Sequence, residues 1–139
     1  MSDLEWFQSR LHYSFKNAGL LEEAFLADGA TESRHDVHGP KAGNKRLALI
    51  GDAVLRLSVL DEWFPGGGST KDGHEMIQDV ATNDELQMVA KRWNLMALLK
   101  ENPSEAGRES TTTLASTVEA IIGAVWIDCD RNLLEYSRL

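Results

Sequence analysis

The sequence predicts an all-α fold, and three observations carry that expectation. Apolar residues recur at three- and four-residue spacing in each long segment. No stretch alternates apolar and polar residues as a half-buried strand does. Proline and glycine gather where the periodic segments stop.

The elements follow in order. "SDLEWFQSRL" sets Leu4, Phe7 and Leu11 at helical spacing, and "FKNAGLLEEAFLA" gives a second helix. Asn17 caps that helix, with Leu20, Leu21, Ala24 and Phe25 inward. Residues 28–43, "DGATESRHDVHGPKAG", are polar and glycine-bounded, and predict a loop. The third helix is long, from about 44 to 64, and ends at "FPGGGS" on Pro65 and three glycines. A short helix near 72–81 follows, then one opening at "TNDELQMVAKRW" with Thr82 or Asn83 as its cap. "LMALL" is an apolar turn, "ENPSEAGRES" a loop, and the last long helix covers about 111–128 before a short tail helix. There is no internal repeat.

Composition bounds the rest. A chain of 139 residues is expected to form one domain, 1–139, with room for a single core. With 42% hydrophobic and 26% charged residues it reads as a soluble globular protein. No apolar run is long enough to span a membrane, and there is no secretory h-region. The acidic start "MSDLEWF" argues against a mitochondrial presequence, so the expected location is intracellular, cytoplasmic rather than organellar. The single cysteine, Cys129, excludes an internal disulfide and suits a reducing compartment. A net charge of −8 argues against a protein that coats itself in nucleic acid, while leaving room for a local basic patch beside a metal site.

The third helix is apolar on two sides. Leu47, Ile50, Val54 and Leu57 form one stripe, and Leu49, Ala53, Leu60 and Phe64 form another. Such a helix is either central in the core or shared with a second subunit. In a chain this small the sequence favours a homodimer through the first stripe.

Two carboxylates interrupt apolar helices. Asp52 follows Gly51 within "NKRLALIGDAVLRL", and Glu119 is the only charge in "TVEAIIGAVWI". A buried ionised carboxylate must be paired, hydrogen-bonded or metal-bound. Arg56 stands four residues after Asp52, so a helix ion pair is one reading of that acid. A solvent-edge position is the corresponding reading of Glu119. Gly51 and Gly123 point elsewhere. Glycine in a helix interior costs roughly 1 kcal/mol relative to alanine, and close approach of another backbone is the usual compensation. Helices crossing at these glycines would bring Asp52 and Glu119 together, an arrangement suited to a hard divalent cation such as Mg²⁺.

These residues resemble a known family. "NKRLALIGDAVL" is similar to the ribonuclease III signature helix, whose usual form is close to N-E-R-L-E-F-L-G-D-A-V-L. "LHYSFKNAGLLEEAF" resembles the family's opening helices, "TNDELQMVA" its S-N-E-T-L segment, and "LASTVEAIIGAVWID" its L-A-D-x-F-E-A-I-I-G-A-x-Y-L-D helix. The resemblance implies an all-α endonuclease domain that dimerises through the signature helix. It further implies two Mg²⁺-dependent sites, with Mn²⁺ as a possible substitute, cutting opposite strands of double-stranded RNA. The sequence stops where the RNA-binding domain of fuller members would begin.

The departures are specific. Of the family's four acids, Asp52 and Glu119 are present, while Ala48 and Ser116 stand where Glu and Asp are usual. Lys45 replaces the outer Glu of the signature. Glu75 and Ile77 stand where the family often has Lys and Arg, which removes phosphate contacts. Fewer carboxylates weaken metal affinity and the orientation of what remains. The set Ala48, Asp52, Ser116 and Glu119 nonetheless resembles the compact Mini-III branch, which pairs A-Y-I-G-D with S-T-x-F-E and whose members are nucleases.

Other features are weaker. His35 and His38 lack further ligands nearby and read as solvated; Trp6, Trp63, Trp93 and Trp126 read as core rather than as base-stacking platforms. "AKRWN" at 90–94 is the best phosphate patch, although a solvated helix end explains it as well. Two functional readings remain. One is a homodimeric Mg²⁺-dependent endonuclease for double-stranded RNA with Asp52 and Glu119 as metal ligands. The other is a non-catalytic subunit that binds structured RNA or scaffolds a ribonucleoprotein.

Overall fold

The computed structural model describes residues 2–34, 36, 38–80, 82–100 and 110–131. Among them the architecture is all-helical, with one isolated parallel bridge between Leu26 and Lys100. The α-helices are α1 (Asp3–Leu11), α2 (Ala18–Ala24), α3 (Ala30–Ser33), α4 (Lys45–Trp63), α5 (Thr70–Val80), α6 (Asn83–Arg92) and α7 (Ser110–Asp128). Single 3-10 turns occupy Phe64–Gly66 and Leu95–Ala97. Among the described residues no helix is long and apolar enough to cross a membrane.

Local chemistry sets the ends of these helices. Ser2 and Glu5 form a reciprocal capping box at α1, with the Glu5 amide donating to Ser2 Oγ at 3.2 Å. His12 closes α1 in the left-handed region at φ 59°. Asn17 Oδ1 accepts from the Gly19 amide at 3.0 Å, capping α2. Thr82, rather than Asn83, caps α6, its Oγ1 accepting from the Glu85 amide at 3.3 Å. Pro65 lies in the turn that ends α4, and Gly67 reverses the chain at φ 71°. The Trp63 indole N–H then donates to the Ser69 carbonyl at 3.0 Å, while its ring lies against Gly73 of α5.

The core is built around α7. Ala115, Val118, Ala120, Ile121, Ile122, Ala124 and Val125 are buried on nearly every side of that helix. Phe7, Leu11, Leu21, Phe25, Leu47, Val54, Leu86 and Leu95 surround them. Phe7 meets Phe25 edge-on at 5.1 Å and Trp93 at 6.1 Å. α4 and α7 pack against each other more extensively than any other pair of described elements.

Two expectations need correction, and the first turns on how α4 packs. α7 is the helix that the core encloses, while α4 buries one side and exposes the other. The stripe Leu47, Ile50, Val54, Leu57 therefore splits. Leu47 and Val54 are buried within the chain, whereas Ile50 and Leu57 are 40% and 49% exposed. Leu49 and Phe64, from the second stripe, are 76% and 68% exposed, so the outward apolar face of α4 joins members of both stripes. The loop expected over 28–43 contains the short α3. The expected tail helix and His35 lie outside the described residues, and His38 is exposed.

The tryptophans are only partly interior. Trp93 and Trp126 pack half-buried against the core, while Trp6 is exposed with the Arg10 guanidinium 5.3 Å from its ring centroid. Lys91 and Arg92 are exposed at the end of α6.

Three buried polar residues hold the helices in register, and the sequence reading assigned none of them this role. Asn44, 2% exposed, donates from Nδ2 to the Ala24 carbonyl at 2.9 Å and to Thr117 Oγ1 at 3.1 Å, tying the start of α4 to α2 and α7. Thr117 Oγ1 in turn donates to the Thr113 carbonyl at 2.7 Å. Asp128 accepts from the Tyr13 hydroxyl at 2.7 Å and from the Lys16 and Asn17 amides at 2.9 and 2.8 Å. Burial alone would favour its neutral form, but these donors outweigh burial and hold its carboxyl below the usual aspartate range.

Candidate metal centre

Gly51 and Gly123 lie where α4 and α7 cross. A Cβ on Gly51 would fall on the Glu119 backbone, 2.5 Å from its carbonyl carbon. One on Gly123 would meet the Leu47 carbonyl oxygen and lie 3.0 Å from the Gly51 amide nitrogen. The helices thus touch backbone to backbone, which explains glycine in both helix interiors. The same approach places Asp52 beside Glu119.

The electrostatics record that juxtaposition. The Glu119 carboxyl is raised to about 7, first by burial, then by its hydrogen bond to Asp52 and the nearby Asp52 charge. The Arg56 charge acts in the opposite direction. Arg56 Nε donates to Asp52 Oδ2 at 3.1 Å, and both side chains are partly exposed, at 43% and 37%. The helix ion pair and the convergence with Glu119 are therefore both present at Asp52.

Ala48 is buried on α4 one turn before Asp52, and Ser116 is half-buried on α7 one turn before Glu119. Lys45 is exposed at the start of α4. Glu75 is exposed and Ile77 half-buried on α5. Among the described residues, no group of three or more His, Cys, Asp and Glu side chains is placed to hold a metal.

The donor chemistry still fits a hydrated divalent cation. Mg²⁺ commonly takes one or two protein carboxylates and fills its other positions with water and phosphate oxygens. Two adjacent half-buried carboxyl groups, one with elevated proton affinity, form a site whose mutual repulsion a cation would relieve.

The raised Glu119 carboxyl has a consequence for metal-free stability. The unfolded acid ionises near 4.3, so the folded state holds the extra proton between roughly pH 4.3 and 7. That proton-linked stability is complete below the unfolded value and is lost as pH rises through about 7. In chelator, Glu119→Gln is expected to gain about 1 kcal/mol relative to the parent between pH 5 and pH 8, after allowance for solvent screening. Urea melts at the two pH values measure this; a constant difference would show that Glu119 does not carry the effect.

Comparison with known proteins places this architecture. Residues 11–133 match the family profile described as Ribonuclease-III-like. "Ribonuclease 3" of Clostridium kluyveri is 31% identical over 130 residues, covering 89% of this chain and 51% of that protein. "Ribonuclease 3" of Shewanella amazonensis is 32% identical over 125 residues, covering 86% of this chain and 51% of its own length. The chain thus spans about half the length of these curated relatives. The nuclease domain of ribonuclease III from Campylobacter jejuni superposes with a TM-score of 0.82 at 23% identity, covering 98% of this chain and 92% of that one. That structure's description concerns flexibility in a region involved in dimer formation. The profile match across most of the sequence, on the same helical architecture, leads to one conclusion: the chain belongs to the ribonuclease-III-like family.

Proposed function

We propose that this chain forms a single ribonuclease III-like endonuclease unit that hydrolyses phosphodiesters of double-stranded or structured RNA with Mg²⁺, or Mn²⁺ in its place. The observation that supports this best is the convergence of Asp52 and Glu119 at the glycine crossing of α4 and α7. In this reading both carboxylates hold the cation, and the Ser116 hydroxyl borders the same space. When bound, the cation favours deprotonation of an attacking water and offsets charge on the scissile phosphate and leaving oxygen. The chain positions the two acids by backbone contact, so their separation is fixed by the helices rather than by flexible loops.

The outward apolar face of α4 supports homodimer formation. Leu49, Ile50, Leu57 and Phe64 are all exposed large hydrophobic residues. A two-fold pairing of α4 would cover this face with its own copy. The non-catalytic subunit keeps one specific observation in its favour: Asp52 already has a cation partner in Arg56.

One assay separates the readings. The purified chain is incubated with long double-stranded RNA and Mg²⁺ or Mn²⁺, beside Asp52→Asn, after sedimentation has established its oligomeric state. The endonuclease reading expects a dimer, with cleavage that needs metal and is lost in the variant. RNA retained uncut by both proteins would establish the non-catalytic subunit instead.

A further inference from the structure

Arg56 is the feature of this site that the resemblance does not explain. It projects from α4 one turn after Asp52, and its Nε lies 3.1 Å from Asp52 Oδ2. Because both residues belong to one helix, the geometry of α4 itself sets the two side chains within reach of each other. Resting on the metal-site reading above, we propose that Arg56 is a resident counter-ion that competes with a divalent cation for Asp52.

A cation ligating Asp52 Oδ2 must displace the guanidinium from that oxygen or accept it as a near neighbour. One positive charge about 5 Å from a divalent ion lowers its affinity roughly tenfold, even at a water-like dielectric. With Ala48 and Ser116 at the two other positions of the site, no further carboxylate on either helix turn offsets that repulsion. Arg56 thereby keeps metal binding weak while partly neutralising the two acids in the metal-free protein. Its side chain is 43% exposed, so it has room to swing outward when a cation arrives.

The test measures binding without reference to cleavage. Free Mn²⁺ is followed by electron paramagnetic resonance as it is titrated into the whole chain and into Arg56→Gln, Arg56→Lys and Asp52→Asn. Arg56→Gln is expected to bind Mn²⁺ about tenfold more tightly than the parent, consistent with removal of one positive charge at that range. Arg56→Lys, which keeps the charge, is expected to stay near the parent, and Asp52→Asn to lose the site. Circular dichroism confirms that the variants are folded. Equal affinity in the parent and Arg56→Gln, with binding still lost in Asp52→Asn, overturns the role of Arg56 and leaves the metal site standing. If neither the parent nor Arg56→Gln binds Mn²⁺, or if Asp52→Asn binds as the parent does, the metal-site reading fails and this proposal fails with it.

Discussion

Gly51→Ala is expected to destabilise the protein by about 3 kcal/mol, the upper end of what overpacking in a close-packed interior usually costs. The added carbon would fall on the carbonyl of Glu119, a backbone group within α7 that no rotamer change can move aside. Relief requires α4 and α7 to separate along the most extensive helix contact in the described chain, loosening Leu47 and Val54 from Val118 and Ile121. Alanine's intrinsic helix preference returns roughly 1 kcal/mol, too little to change the sign. Gly66→Ala provides the control, because nothing lies within 4 Å of a Cβ there. Its effect should stay within about 0.5 kcal/mol. Urea unfolding of the three proteins reads the difference directly, and a Gly51→Ala protein as stable as the parent would refute the backbone crossing.

The same glycines show what the sequence can and cannot disclose. Gly51 and Gly123 signal the crossing because glycine in a helix interior is locally unfavourable and needs a tertiary reason. Helix positions were readable for a related cause: caps such as Asn17 and Thr82, and stops such as Pro65, act within a few residues of themselves. The direction in which α4 faces was not readable. Its two stripes are similarly apolar, and only the position of α7 decides that Leu47 and Val54 turn inward while Leu49 and Phe64 remain outside. The polar hubs were hidden for the same reason. Asp128 follows an apolar run like any helix-end acid, and its partners Tyr13, Lys16 and Asn17 lie more than a hundred residues earlier. At the site, the Arg56–Asp52 pair was available from i, i+4 spacing alone, whereas the approach of Glu119 depends on packing across the whole chain.

Restoring the missing acids should make thermal stability strongly dependent on Mg²⁺. Ala48 lies one turn before Asp52 and Ser116 one turn before Glu119, so Ala48→Glu with Ser116→Asp adds one carboxylate to each helix of the proposed site. Ala48 is only 8% exposed, so its replacement must direct a charged group from a packed position toward the acids. Asp52 already raises the proton affinity of Glu119, and two further charges add to that repulsion. In chelator at neutral pH the double variant is therefore expected to melt below the parent. Saturating Mg²⁺ should reverse the loss, because a ligand bound only by the folded state at one hundred times its dissociation constant stabilises by about 2.7 kcal/mol. Each single variant should show a smaller reversal, since its site still lacks one carboxylate. Cleavage of double-stranded RNA should rise in the double variant and in neither single one. A double variant whose melting is indifferent to Mg²⁺ would place Ala48 and Ser116 outside any common site. Metal-dependent stabilisation without cleavage would move the deficit from the acids to the phosphate contacts, where Glu75 and Ile77 replace the basic residues usual in the family.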